Sequence, residues 1–176
     1  DKSGNVVDGG NQNLTGFQAV AGKIVPGVLV NLQVSSADLA PTITTETKVG
    51  ANLASTDSVL PAAFDALDPL TFNFSTATSI IDSLGQAHTQ TLYFNKTAAN
   101  TWDVRVFVDG VQADAGTPPV PSTLTFDTAG KLIGVTPPLA PASPMISQAK
   151  TAVLTNGAAN LAVTMDFTAM TQFGSG

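Results

Sequence analysis

The chain has 176 residues, of which 13 are acidic and 7 basic, for a net charge of −6, with 11% charged, 6% aromatic and 43% hydrophobic residues. That is long enough to bury a useful core, too apolar and too sparsely charged for a disordered tail, and without the basic footprint that nucleic acid or an anionic membrane requires. There is no cysteine, which removes disulfides and thiolate metal sites.

No apolar run approaches the ~20 residues of a membrane-spanning helix. The N-terminus, Asp1-Lys2-Ser3-Gly4-Asn5, shows neither a signal-peptide pattern nor an initiator Met, so the chain reads as an excised or processed piece. In chain order, Ser3-Gly4-Asn5 and Asp8-Gly9-Gly10 bracket Val6-Val7 as turns around a short strand. Lys23 to Val34 holds Pro26-Gly27, and a proline that cannot donate to a ladder predicts two short strands or an edge strand. Ser35 to Pro41 reads as a loop. Thr42 to Leu53 alternates, with Ile43, Thr45, Thr47 and Val49 on one side, predicting a strand that ends near Gly50.

Ser55 to Pro69 reads as a loop that holds at most one helical turn at Ala62 to Leu67. Strands are expected at Phe72–Ile81, Gln90–Asn95 and Trp102–Asp109. In the last, Trp102, Val104, Val106 and Val108 share one face. Asp109-Gly110 is a turn signal, and Ala113 to Pro121 a Gly/Pro loop. Ser122–Asp127 and Leu132–Val135 are strands around the turn 127–131. Pro137 to Pro144 reads as an extended connector, excluded from helix and central strand. Thr151 to Leu154 is ambiguous. Asn160 to Phe167 is a strand with Leu161, Val163, Met165 and Phe167 inward, and 170–176 an open tail. No fixed-period repeat is visible. Short strands with turn signals every ten residues or so predict an all-β fold, an antiparallel sandwich or barrel-like domain.

The segment 79–108 gathers the single His (His88), the single Trp (Trp102) and the single Tyr (Tyr93), and so invites an active-site reading. One histidine excludes metal sites built on two imidazoles. A Ser-His-Asp set from His88, Asp82 and a serine lacks any nucleophile context; the favoured reading has His88 hydrogen-bonding locally or facing solvent at a strand edge. Asp65 with Asp68, or Asp103 with Asp109, are the carboxylate pairs that glycoside chemistry would use, but aspartates at turns more often cap them. The oxygen-rich stretches 1–5 and 57–68 are the places for a weak Ca²⁺ site, without the loop pattern that would make one. No phosphate-cradling glycine pattern is present. Trp102 reads as core ahead of a carbohydrate platform, and of Tyr93 and Phe94 one faces outward as a candidate subunit contact. The expectation is no catalytic, cofactor-binding or metal-ligating residue.

Asp82, Ser83, Leu84, Gly85, His88, Tyr93, Phe94, Lys96, Thr97, Asn100, Trp102 and Val104 together resemble the signature of the bacterial flagellar hook protein family. Asn5-Val6-Val7 with Leu14-Thr15-Gly16-Phe17, then Asn52-Leu53-Ala54-Ser55, then Met165 to Phe173 match further pieces of that family in order, with Ala54 standing where an acid is usual. The resemblance implies a non-enzymatic structural subunit of an extracellular tube, built from copies of itself, exported without a cleavable signal peptide. Terminal helices would form the inner tube and lie outside these residues, leaving this piece monomeric. It also implies part of an inner β domain and linkers at 1–44 and 169–176, and an outer β domain at 45–168. The rival readings are a distal-rod subunit and a secreted carbohydrate- or host-binding sandwich.

Overall fold

Strands β1 (Thr15–Val20) and β2 (Lys23–Asn31) form an antiparallel hairpin. It belongs to the first of two compact units into which the chain divides, Asp1–Leu39 and Ala40–Gly176. The computed structural model describes residues 1–34, 40–60, 63–114, 119–139 and 143–174. The expected loop at 35–41 therefore falls mostly outside the described residues, as do parts of those at 55–69 and 113–121.

In the first unit Pro26 sits inside β2, in the stretch where the register slips between Phe17↔Leu29 and Ala19↔Ile24. The missing N–H is thus placed where the ladder is already broken. Val6-Val7 adds short pairing, with Val6 N–H donating to Leu32 O at 2.9 Å and Leu14 N–H to Val6 O at 2.8 Å. None of the described residues of this unit is buried. Ile24, Val28 and Leu29 are 72%, 84% and 56% exposed, so the hairpin is held by backbone bonds and not by a core.

The second unit contains β3 (Glu46–Lys48), β4 (Asn52–Ala54), β5 (Phe74–Ile81), β6 (Ala87–Ala98), β7 (Thr101–Val108), β8 (Val111–Gln112), β9 (Ser122–Phe126), β10 (Leu132–Thr136), β11 (Pro138–Leu139), β12 (Ser143–Ser147), β13 (Lys150–Ala152), β14 (Leu161–Asp166) and β15 (Thr171–Phe173). Its larger sheet runs β10-β9-β7-β6-β5 with β8 on β7, all antiparallel. A second runs β11-β12-β14-β13, with β3 on β14. Alternation explains the layering. Leu92 and Phe94 of β6, Trp102 to Val106 of β7 and Leu124 of β9 face the same core as Leu161, Val163 and Met165 of β14. Each such fully buried large side chain contributes about 1.5–3 kcal/mol. The fold is the expected all-β, sandwich-like one; the described residues contain no α-helix, only a 3₁₀ turn at Pro69–Thr71.

The structure departs from the sequence reading in several places. Thr42–Leu53, expected as one strand ending near Gly50, is instead two short strands, β3 and β4, on either side of it. In the expected connector, Pro138–Leu139 is a strand and Ser143–Ser147 begins another despite Pro144; the ladders on either side of β12 pair Ser143, Ile146 and Ser147 and pass over Pro144, which leaves the proline no bond to break. The tail is not open at 171–173: β15 pairs in parallel with β4. β3 also pairs in parallel with β14, where only antiparallel pairing was expected. By contacts, residues 40–176 form one compact unit, which includes the whole of the outer β domain expected at 45–168.

Four turns share one local design. At Asp1, Asp8, Asp82 and Asp127 the carboxylate Oδ1 accepts the N–H groups two and four residues ahead, at 2.8–2.9 Å. The fourth residue is Gly4, Asn11, Gly85 or Gly130, each at positive φ between 61° and 83°. The Asp side chain thus satisfies amides that the tight loop would orphan, and the left-handed residue closes it.

Candidate functional site

The diagnostic residues form two clusters on the inner face of β6 and β7. From His88 the alternation of β6 runs inward through Gln90, Leu92 and Phe94 to Lys96. The middle of this column is apolar and its two ends are polar.

At one end, Trp102 is 0% exposed. Its indole N–H donates to Gln172 Oε1 at 2.6 Å, and Gln172 Nε2 donates to Asn100 Oδ1 at 2.8 Å. The Lys96 ammonium, also buried, donates to the carbonyls of Ser55 at 2.5 Å and Asp57 at 3.0 Å and lies 5.8 Å from the Trp102 ring centroid. Such a buried cation is tolerable only because carbonyls and a π face replace water. Asn52 Oδ1 accepts from Phe173 N at 2.9 Å and from the Thr171 hydroxyl at 3.1 Å, fixing the β4–β15 register. Gly130 lies against the same strand: a Cβ there would stand 2.1 Å from Gln172 O, and Gln172 N–H donates to Gly130 O at 2.8 Å. Segments near residues 52–57, 96–102, 130 and 171–173 therefore meet in one knot.

At the other end, His88 stands between two carboxylates. Nδ1 is 2.6 Å from Asp109 Oδ2 and Nε2 is 3.1 Å from Asp82 Oδ2. Its side chain is 10% exposed, so it does not face solvent, as one reading had allowed. The other reading, local bonding, accounts for Asp82 six residues away and misses Asp109. The pairing Ile80↔His88 and the Asp109 turn after β7 bring the three together. Hydrogen bonds to Asp109 and then Asp82 raise the His88 pKa above its ordinary 6.5, against desolvation. Burial alone would raise the Asp82 pKa, but hydrogen bonds from His88, Asn156 and the Gln86 and Leu84 amides overcome it and hold the carboxyl far below its ordinary 3.8. Asp109 is lowered by His88 and by the Thr89 amide. The loop residue Asn156 donates to Asp82 Oδ2 at 2.6 Å and to Gln86 Oε1 at 2.8 Å, tying a distant segment to the turn.

The candidates for chemistry are thereby spent on structure. An open cleft of about 370 Å³ lies beside His88, lined also by Val108, Asp109, Val111 and Leu154. Both ring nitrogens already face carboxylates, so neither is free to take a proton from a hydroxyl, and Ser83 Oγ accepts from Ala159 N at 2.9 Å. Asp65 and Asp68 each accept the amide two residues ahead. Asp103 and Asp109 are six residues apart on an extended stretch, about 20 Å at ~3.3 Å per residue, too far for paired glycoside chemistry. Asp1 is occupied by the amides of Ser3 and Asn5 and by the Asn5 side chain. Asp57 lends its carbonyl to Lys96. Among the described residues no three His, Asp or Glu side chains cluster as metal ligands. Trp102 is a core residue and offers no platform to a sugar. Tyr93 faces outward, but Phe64, Phe72 and Phe107 stand over it with ring centroids at 5.4, 4.9 and 5.3 Å, so it is not a free contact residue. Sequence reading missed the buried pair of Lys150 Nζ and Asp114 Oδ1 at 2.7 Å, since Lys150 fell in no expected element and Asp114 inside a Gly/Pro loop.

The family described as flagellar basal body protein FlaE D2 domain matches residues 52–176. The chain belongs to that family. It is also 30% identical over 185 aligned positions to the flagellar hook protein FlgE of Rhizobium meliloti (strain 1021), covering 99% of this chain and 40% of that relative. The chain thus spans about two fifths of the length of the curated relative it matches. The match begins at Asn52, the residue that fixes the β4–β15 register, and the resemblance to the hook family drawn from the sequence is supported.

Proposed function

We propose that this chain is part of a non-enzymatic structural subunit of the bacterial flagellar hook, an extracellular tube assembled from copies of the full-length protein. The observation that carries this reading is that the signature side chains tie distant segments together: Trp102, Gln172, Asn100, Lys96, Asn52 and Asp82 all spend polar atoms on the fold. None is left presenting a reactive atom, which is what a building block needs and an enzyme does not. The second compact unit corresponds to the outer domain. The first is one share of an inner domain, and its exposed apolar strands would be covered by chain outside these residues, since an uncovered patch of this kind marks a contact surface.

The test is genetic and visual. A strain lacking the full-length protein should build no hooks and fail to swim, and antibodies raised against residues 40–176 should decorate hooks of the complemented strain in electron micrographs. Normal hooks in the deletion strain, or label elsewhere on the cell, would overturn the reading.

A further inference from the structure

Two features of the second unit serve neither polar cluster. The first is a protrusion at residues 65–71. Leu67 and Leu70 are 92% and 79% exposed, yet the loop carrying them is locked. Asp65 Oδ1 accepts from Leu67 N and Asp68 Oδ1 from Leu70 N, both at 2.9 Å. The Thr71 hydroxyl lies 2.7 Å from Asp65 O and 2.8 Å from Asp68 O. The loop stands on Phe64, whose ring packs on Tyr93 and Phe107 and lies 4.6 Å from the Arg105 guanidinium. Two leucines are therefore held rigidly in water, at little further entropic cost on binding.

The second feature is a cleft of about 200 Å³ between residues 47–51 and β5, with Leu92 among its lining. It exists because β5 extends past the cover of the second sheet. Only Ile80 of β5 is buried, and Phe74 is 40% exposed. At one end Thr44 N–H bonds to Ile81 O at 2.9 Å; at the other Phe74 lines the cleft. The cleft is below the ~300–1,000 Å³ of small-molecule sites and suits one or two aliphatic side chains. β5 carries no charge or proline, the devices that usually protect a sheet edge. Lys48 is the one charged residue lining the cleft; its side chain is 66% exposed and its Nζ stands 3.9 Å from Asp166 Oδ2, a long exposed pair that leaves the ammonium open to a second carboxylate.

We infer that Leu67 and Leu70 of one copy seat in the 47–51/β5 cleft of the next, with Asp65 and Asp68 meeting Lys48. This rests on the subunit reading above and names its contact. The charges are complementary, and the leucines are the two most exposed large hydrophobic residues of the unit that bears the cleft. The protrusion rises from the outer face of β6 and β7, through Tyr93 and Phe107. The cleft opens at the β5 edge on the Leu92 side. A contact joining two different surfaces of the same chain is heterologous, and repeats into an open helical array instead of closing into a dimer.

The test uses the full-length protein. Leu67→Cys and Ala77→Cys variants, both at exposed positions, are assembled separately and as an equal mixture, then oxidised and run on a non-reducing gel. A disulfide-linked dimer is expected from the mixed polymer alone, absent from either variant by itself and from the unassembled mixture. A mixed polymer of normal length without that dimer overturns the contact and leaves the subunit reading standing. Unsubstituted full-length protein that never polymerises overturns the subunit reading itself. As a second arm, Leu67→Asp should shorten or abolish the polymer while leaving the circular dichroism unchanged; wild-type assembly by Leu67→Asp would equally overturn the contact.

Discussion

Replacing Gln172 by Met tests whether the C-terminal strand is held by the signature or merely lies beside it. Met is close to Gln in volume, so the change removes an amide with little cavity. Gln172 is 4% exposed and Trp102 0%; once the amide is gone, the indole N–H that donated at 2.6 Å has neither protein nor water to bond. Leaving a buried donor unmet costs about 1–3 kcal/mol. Asn100 Oδ1, which loses the 2.8 Å bond, is half-buried and turns to water, adding little. With a urea dependence of about 1–3 kcal/mol per molar for a domain of this size, the midpoint should fall by roughly 1 M. Trp102 is the only tryptophan, so its fluorescence reports this unit directly. Because removing either partner orphans the other, the cost of Gln172→Met should shrink by about 1 kcal/mol or more in a Trp102→Phe background, followed by circular dichroism. A cost within ~0.5 kcal/mol, the range of ordinary surface changes, or strict additivity in the cycle, would refute the reasoning.

Three further outcomes are expected. His88 has its pKa raised above 6.5 on folding, so its contribution is fully present below pH 6.5 and lost as pH rises through the folded value. Asp82 and Asp109 are lowered from 3.8, so theirs is present above that value and lost on acidification. Thermal melts should therefore peak between about pH 4 and 6.5, and His88→Gln should flatten the alkaline limb; an unchanged limb would reject the clamp. Lys150→Met leaves the Asp114 carboxylate buried without its cation and should cost about 3–5 kcal/mol in denaturant unfolding, part of it recovered by adding Asp114→Asn, which removes the charge and keeps an acceptor for the Val106 N–H; equal costs for single and double variants would contradict this. Gly130→Ala places a Cβ 2.1 Å from Gln172 O at a φ of +78°, so β15 has to move, and hydrogen exchange at residues 171–173 should accelerate toward that of an open tail; wild-type protection there would show the approach is not obligatory.

Strand positions were legible where alternation lasts. Trp102 to Val108 and Leu161 to Phe167 each put every second residue in the core, as their patterns required. What failed was short or crossed by proline. β15 is three residues long, and its only buried member is the polar Gln172, so no hydrophobic period announces it. Its partner β4 lies 119 residues away, beyond any local signal. His88 was half-legible: the turn explains Asp82, but Asp109 arrives only through the β6–β7 register. The Asp-x-x-Gly/Asn turn left a readable mark four times, yet its spacing is irregular, and a search for a fixed period passes over it.

The two polar clusters explain why a chain this poor in charge places a histidine and a lysine on the inner face of one strand. A sandwich core is open at its ends, where strands turn and backbone groups lose their ladder partners. Leu92 and Phe94 fill the middle of β6, but aliphatic side chains at its ends would leave the Ser55 and Asp57 carbonyls unanswered and would take from the Asp82 and Asp109 carboxylates the donor they share. A long ammonium at Lys96 and a two-sided donor at His88 answer them from inside, each joining segments that the sheets do not join: 55–57 to β6 in one case, the Asp82 and Asp109 turns in the other. Such ends resist shear, because sliding the sheets would break charge-assisted bonds in a dry setting, where they are strongest. On the hook reading, the second unit then moves as a block. Bending of a tube must fall on the contacts between copies, and a small seat of two leucines with a rim of exposed charge is weak enough to shift register where a large apolar interface would not.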